Sequence, residues 1–317
     1  MIPSKAKTAK NKTSRKVKTK NIKLRAFSIS PQTPKVTSPS PSIVDLAINK
    51  LSNTVAKDRV LILNKDDPNK HSDTLPYFDV RNRTLLGVIM KISQNDNVQV
   101  IANTLMNQKK FSVGQLKSNN IDDNKVYLSH YYFAMNDKFL VTNLSMNTTI
   151  RGFQAYINWF IKEQLFEFTP MVINAPDLKM EDLRQLTIAD PMVNKTNDEV
   201  KKKWIDLKGV KDYILKAVLK DVKDLDEVEM GRVISARLLL KFIKPKDMTV
   251  EDYKKIMGFY LKPISDLENV VFTNKNKQKF SADKLLRTEN VHIDVDENGF
   301  ISEPQLWDAM TGFLAKL

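Results

Sequence analysis

Eight cations and no carboxylate occupy residues 1–20: Lys5, Lys7, Lys10, Lys12, Arg15, Lys16, Lys18 and Lys20. A lysine or arginine can neutralise a phosphate and release its counterion, giving salt-sensitive affinity without reading bases. Such a run therefore suits a phosphate polymer. Lys244 and Lys246 add cations on either side of Pro245. Lys275, Lys277 and Lys279 add more, and with Lys284 and Arg287 they are diluted by one acid, Asp283. The eight tail cations, Lys244, Lys246 and the lysines at 275, 277 and 279 are the candidate nucleic-acid contacts, with phosphate neutralisation as their role. The run Lys201-Lys202-Lys203, continued by Lys208, Lys211, Lys216 and Lys220, is interleaved with Asp206, Asp212, Asp221 and Asp224. Residues 198–262 hold 16 basic and 12 acidic side chains, the pattern of a solvated face.

Residue types for covalent or metal chemistry are scarce. The chain has no cysteine, which excludes disulfides, thiolate catalysis and cysteine-ligated zinc. Its 8 glycines argue against a phosphate-cradling loop, which needs close backbone approach. His71, His130 and His292 stand far apart, and none has an identifiable nucleophile or base partner. Asp66-Asp67-Pro68-Asn69-Lys70 suggests a carboxylate–lysine nuclease, but no second acidic strand at useful spacing supports it. Residues 294–306 begin like a calcium loop, with Asp294, Asp296, Asn298, Gly299 and Ile301 in place. The twelfth position, where a bidentate acid belongs, is Gln305. Asn298-Gly299 after the alternating Val291-His292-Ile293 reads better as a β-hairpin turn. No catalytic residue, no metal ligand and no cofactor is assigned, and binding is expected rather than catalysis.

Net charge is +14, with an isoelectric point near 9.6. Residues 1–20 carry +8 of it; the other 297 residues hold 43 basic and 37 acidic side chains. A field of this sign favours polyanions. A membrane surface is the weaker partner, because the tail has no apolar face to insert. The tail also lacks the apolar stretch of a secretory signal, and no run of about 18 apolar residues exists, so no spanning helix and a cytoplasmic location are expected.

The elements that must position these residues alternate in kind. Residues 1–20 cannot bury enough surface to order and are expected to be a disordered basic tail. Residues 21–30 alternate like a strand, and 31–41, with four prolines, read as a linker. Ser42 caps an expected helix at 43–55; residues 64–83, with two prolines, read as loop; strands follow at 84–92 and 98–102. A helix at 112–119 precedes a hairpin of 126–134 and 138–144. Thr148 or Thr149 caps a helix at 150–165, followed by a strand at 166–173. A helical region at 198–224, a strand at 231–244, a helix at 250–259 capped by Thr249 and a short helix at 281–289 come next. A hairpin at 290–302 and a helix at 304–316 complete the order. Without a steady βαβ rhythm this is an α+β protein with mixed or antiparallel sheets and packed helices. Two domains follow the tail, an N-terminal one at 21–175 and a C-terminal one at 176–317.

One family shares this order. KFSVGQLKSNN, then VYLSHYYFAMNDKFLVTNLSMNTTIRGFQAYINWFI, resembles the middle of the RexA-like phage exclusion (abortive infection) proteins. LLLKFIKPKDMTVEDYKK resembles that family's strand, Lys-Pro-Lys turn and helix, and VHIDVDENGFIS holds a similar place. The likeness spans roughly 84–302 with gaps, and the chain departs from it in the tail and in 166–230. The resemblance implies a homodimer that holds duplex DNA in a basic cleft without reading sequence. It also implies a role in anti-phage defence beside a membrane effector protein. The expectation is therefore a non-enzymatic, sequence-tolerant, dsDNA-favouring binder. Its rivals are a metal-dependent nuclease using the 64–73 acids and an interaction subunit whose basic tail docks an acidic partner.

Overall fold

The computed structural model describes residues 18–32, 41–62, 71–92, 104–118, 127–145, 150–173, 182–189, 237–241, 244–245, 247–262, 270–297 and 299–317. Among them, α-helices and two antiparallel sheets make an α+β protein, and no helix is long and apolar enough to cross a membrane.

The larger sheet is built on one long strand, β1 (Lys18–Pro31). Its other members are β2 (Val60–Ile62), β3 (Ser72–Arg81), β4 (Thr84–Ile92), β5 (Tyr127–Met135), β6 (Phe139–Thr142), β7 (Phe166–Pro170) and β12 (Thr288–Val295). Their order is β12-β1-β6-β5-β4-β3-β2, with β7 also on β1. Lys18 to Arg25 pair with β12, Arg25 to Ser28 with β6, and Phe27 to Pro31 with β7. The join lies at Ala26, whose N–H donates to the Arg287 carbonyl and whose carbonyl accepts from Met171 N–H, both at 3.0 Å.

Strand side chains alternate between faces, so this sheet buries two cores. On one face Phe27, Leu75, Leu85, Ile89, Phe133 and Leu140 pack under α1 (Ile43–Ser52) and α3 (Arg151–Ile161). On the other Leu24, Ala26, Leu86, Val88, Tyr132 and Val141 pack under α5 (Glu303–Leu314), with Val113 of α2 (Val113–Ser118). Gly87 faces Phe133 across the β4–β5 pair, and a Cβ there would stand 2.5 Å from the ring. Trp307 of α5 stacks on Tyr77, with centroids 5.2 Å apart, and meets Tyr132 edge-on, so it packs in this core. Trp159 likewise packs against the first core.

The smaller sheet comprises β8 (Leu183–Ala189), β9 (Arg237–Lys241), β10 (Val270–Asn274) and β11 (Lys279–Ser281), in the order β11-β10-β8-β9. Along β10, Val270 and Phe272 are buried while Val271 and Thr273 are half-buried, so one face is packed and the other open. α4 (Val250–Leu261) lies against β7 of the larger sheet. Thr249 caps it, accepting from Asp252 N–H at 3.1 Å, and Glu251 and Asp252 sit in its first turn. It rests on β7 at Gly258, where a Cβ would lie 2.3 Å from the Pro170 carbonyl oxygen.

Several expectations hold. Ser42 caps α1, Ser112 accepts from Gln115 N–H at the start of α2, and the β5–β6 and 290–302 hairpins form. At the latter, Asp296 N–H donates to the Phe300 carbonyl, its carboxylate accepts from Phe300 N–H, and Gly299 takes φ +83°. Gln305 clasps Asp294 from α5, accepting from its backbone N–H and donating to its carboxylate.

Other expectations need correction. Residues 72–81, within the expected 64–83 loop, are β3, because Pro76 sits at a bulge between Thr74 and Tyr77. There the Tyr156 hydroxyl donates to the Arg59 carbonyl at 2.6 Å and meets the Leu75 backbone N–H, so no sheet partner is needed. The expected helix at 281–289 is a 3-10 turn at Ala282–Leu285, since β12 already begins at Thr288. The helix expected at 150–165 ends at Ile161, where Lys162 turns to φ +64°. β8, β10 and β11 are absent from the expected order. The expected division at 175/176 does not follow the sheets, since β12 and α5 lie beyond it yet complete the larger one. Lys18 and Lys20 belong to β1 rather than to a tail, because they pair with Val295 and Ile293. The rest of the tail, linker residues 33–40, the 98–102 strand, Thr148, Thr149, the 198–224 region, Trp204, and Asp66 and Asp67 lie outside the described residues.

Candidate nucleic-acid interface

The open face of the smaller sheet is set by register. Lys279 pairs with Thr273, Thr273 with Gln185, and Gln185 with Lys241. Directly paired residues share a face, so these four form one polar row across the sheet. With strands about 4.8 Å apart, its two terminal lysines stand roughly 14 Å from each other at the backbone. The next row on that face runs Ser281, Val271, Thr187 and Leu239, and the Gln185 amide donates to the Thr187 hydroxyl at 3.2 Å. None of the four strands contains an aspartate or glutamate. Lys241 and Lys279 are exposed and form no ion pair among the described residues.

The β10–β11 turn extends this cationic edge. The Asn274 side-chain oxygen accepts from the N–H groups of Asn276 and Gln278, both at 2.9 Å, and its amide donates to Gln278 Oε1. An Asx turn of this kind holds the loop without apolar contacts. It leaves Lys275 and Lys277 exposed, with Lys277 at φ +62°. Lys275 also meets Asp182, its ammonium 2.8 Å from Oδ1, so part of its charge is compensated.

The structure thus gathers Lys275, Lys277 and Lys279 at the β11 edge of the smaller sheet and places Lys241 on the opposite edge strand, β9. The sequence shows Lys241 only as an interruption of an apolar run; its place opposite Gln185 comes from a pairing between distant strands. Lys18 and Lys20 are exposed at the start of β1, on the larger sheet. Lys244 is half-buried. Lys5, Lys7, Lys10, Lys12, Arg15, Lys16 and Lys246 lie outside the described residues.

A groove of about 350 Å³ opens between α3, β7 and α4. Its floor is the ion pair of Lys262 with Glu167. The Lys262 ammonium also donates to Gln154 Oε1, while the Glu167 carboxylate accepts from Gln154 and Gln32, each at 3.0 Å. Burial lowers the Lys262 pKa, Glu167 opposes that, and Arg151 adds to it. Burial alone would raise the Glu167 carboxyl, but the bonds from Lys262, Gln32 and Gln154 outweigh it and hold it below the usual range. Phe259 and Tyr260 form the rim, 59% and 49% exposed, with Ile256 one turn back at 39%. Arg151, at the first turn of α3, is exposed and makes no ion pair among the described residues.

His130 lies on β5, half-buried and edge-on to Tyr132. Among the described residues no group of three or more histidine, aspartate or glutamate side chains could hold a metal ion. A comparison with protein-family models finds no match, and a comparison with curated proteins finds none either.

Proposed function

We propose that the protein binds nucleic acid through its phosphates, without reading sequence, on the open face of the smaller sheet. The observation that carries this is the acid-free sheet, with Lys241 and Lys279 closing one polar row and Lys277 beside it. Long cationic side chains over a hydroxyl- and amide-bearing surface suit phosphate oxygens and lack the fixed forks that read base edges. Lys18, Lys20 and the six cations before them add charge to the same molecule and strengthen the long-range pull on a polyanion. Duplex DNA is the first substrate to test. A role in anti-phage defence or phage exclusion, a homodimer and a membrane effector partner rest on the resemblance to RexA-like proteins.

The test is anisotropy titration of a labelled duplex at 50 and 200 mM salt. Binding should weaken steeply between the two. Replacing Lys241, Lys277 and Lys279 together by alanine should lower the slope of log affinity against log salt by about 0.9 for each phosphate that the variant leaves unneutralised. Salt-independent binding by the unmodified protein would refute the proposal.

A further inference from the structure

The α3–α4 groove plays no part in the phosphate contacts above, and its lining is unlike a plain apolar docking surface. α4 already buries Tyr253, Met257 and Leu261 on its packed side. Ile256, Phe259 and Tyr260 repeat at helical spacing on the solvent side, so the helix carries a second apolar stripe. An apolar protein helix laid on that stripe would also cover the Glu167–Lys262 pair and the Arg151 guanidinium beside it. Covering an unpaired guanidinium with apolar groups is costly. The fitting occupant is flat, presents a face to an aromatic ring, and is tethered to an anion.

The polar groups of the floor narrow this further. The Asn158 amide donates to the Phe166 carbonyl, and its oxygen accepts from Phe166 N–H, both at 2.9 Å. Gln154 accepts from Phe168 N–H at 3.0 Å and donates to Glu167. The amide groups of Asn158 and Gln154 are thus engaged by the protein, and the groove offers chiefly ring faces, with the Arg151 guanidinium and the Tyr260 hydroxyl as its outward polar groups. Stacking of that kind tolerates any base. The lining holds two basic side chains, Arg151 and Lys262, against one acidic side chain, Glu167. β7 links the groove to the basic sheet: just past its end Val172 bridges Leu286 and Ile173 N–H donates to the Leu285 carbonyl at 2.8 Å, shortly after β11.

We propose that the groove takes an unpaired nucleobase of the strand whose phosphates the smaller sheet holds, stacked on Phe259 or Tyr260, with the adjoining phosphate at Arg151. This rests on the nucleic-acid function proposed above. An intact duplex supplies such a base only by flipping it out, at a cost of a few kcal/mol. The protein therefore prefers single strands, or duplexes with a gap or mismatch, over perfect duplex.

The experiment compares a labelled oligothymidine single strand with a duplex of equal length at one salt concentration, by anisotropy. The proteins are the unmodified chain, the double variant Phe259→Ala/Tyr260→Ala, and Lys241→Ala/Lys279→Ala. The single strand should bind more tightly than the duplex. The aromatic double variant should weaken single-strand binding on the order of 10- to 100-fold and duplex binding less than twofold. The lysine variant should weaken both. A 5-iodouracil strand should photo-crosslink to Phe259 or Tyr260. If the aromatic variant binds both substrates as before while the lysine variant weakens both, the groove assignment is wrong and the phosphate-binding function stands. If the aromatic variant instead loses self-association with nucleic-acid binding intact, the stripe belongs to a second copy and the assignment is overturned. If the unmodified chain binds neither substrate, the phosphate-binding function itself falls, and this assignment with it. Circular dichroism melting of each variant establishes that it is folded; the substituted side chains are all exposed.

Discussion

Single residues carry two tensions that experiment can relax. Lys277 holds φ +62°, a left-handed conformation in which the Cβ of an L-residue crowds its own carbonyl. Asparagine tolerates that region better and lacks the charge. Lys277→Asn should raise stability by about 0.5 kcal/mol, read as a small increase in melting temperature, and should weaken binding to a polyanion in the same preparation. Unchanged binding would remove Lys277 from the interface. Asp73 is the second case. Its carboxyl is buried, Oδ1 has no hydrogen-bond partner among the described residues, and burial raises its pKa, only partly offset by Lys91. The folded state holds this proton more tightly than the unfolded chain does. Stability is therefore lost as pH rises from the ordinary carboxylate value to the raised one, and the loss persists at neutral pH. Asp73→Asn should stabilise the protein by about 1 kcal/mol at pH 7. The advantage should vanish below about pH 4, where both forms of the site are neutral. Denaturation midpoints at the two pH values decide it.

Helices and strands show why some of this was legible in advance and some was not. Caps and amphipathic spacing are local, so α1, α4 and the β5–β6 hairpin follow from Ser42, Thr249 and the Met135-Asn136-Asp137 turn. The hairpin at Asp296 was legible for the same reason. β3 was hidden by Pro76, whose effect depends on Tyr156, a residue distant in sequence that meets the bulge. β8 and β10 are short, and nothing in their own residues says that they pair with each other. The lysines at 275, 277 and 279 could be singled out from charge alone, but Lys241 and the Phe259–Tyr260 groove depend on which strands and helices become neighbours. The contact of α4 with β7 is the most exacting of these. Gly258→Ala would place a Cβ against the backbone oxygen of Pro170, which cannot swing aside. The helix must then move off β7. We expect a loss of about 2 kcal/mol in chemical denaturation. An unchanged midpoint would mean that α4 is free to shift.

In the molecule as a whole, segments far apart in sequence meet on one strand. Lys18 pairs with Val295, and the Lys316 ammonium lies 2.8 Å from a Glu289 carboxylate oxygen on β12. Joining residues so far apart carries a large loop-closure entropy before any contact is rewarded, which slows folding. During synthesis, at about 5–20 residues per second, β12 leaves the ribosome roughly 15–55 s after the first half of β1. Through that interval Ile22 and Leu24 lack the cover that α5 finally provides. The growing chain thus exposes a sticky strand next to its most cationic segment, and mutual repulsion among neighbouring nascent chains is what that charge would supply until β12 and α5 emerge.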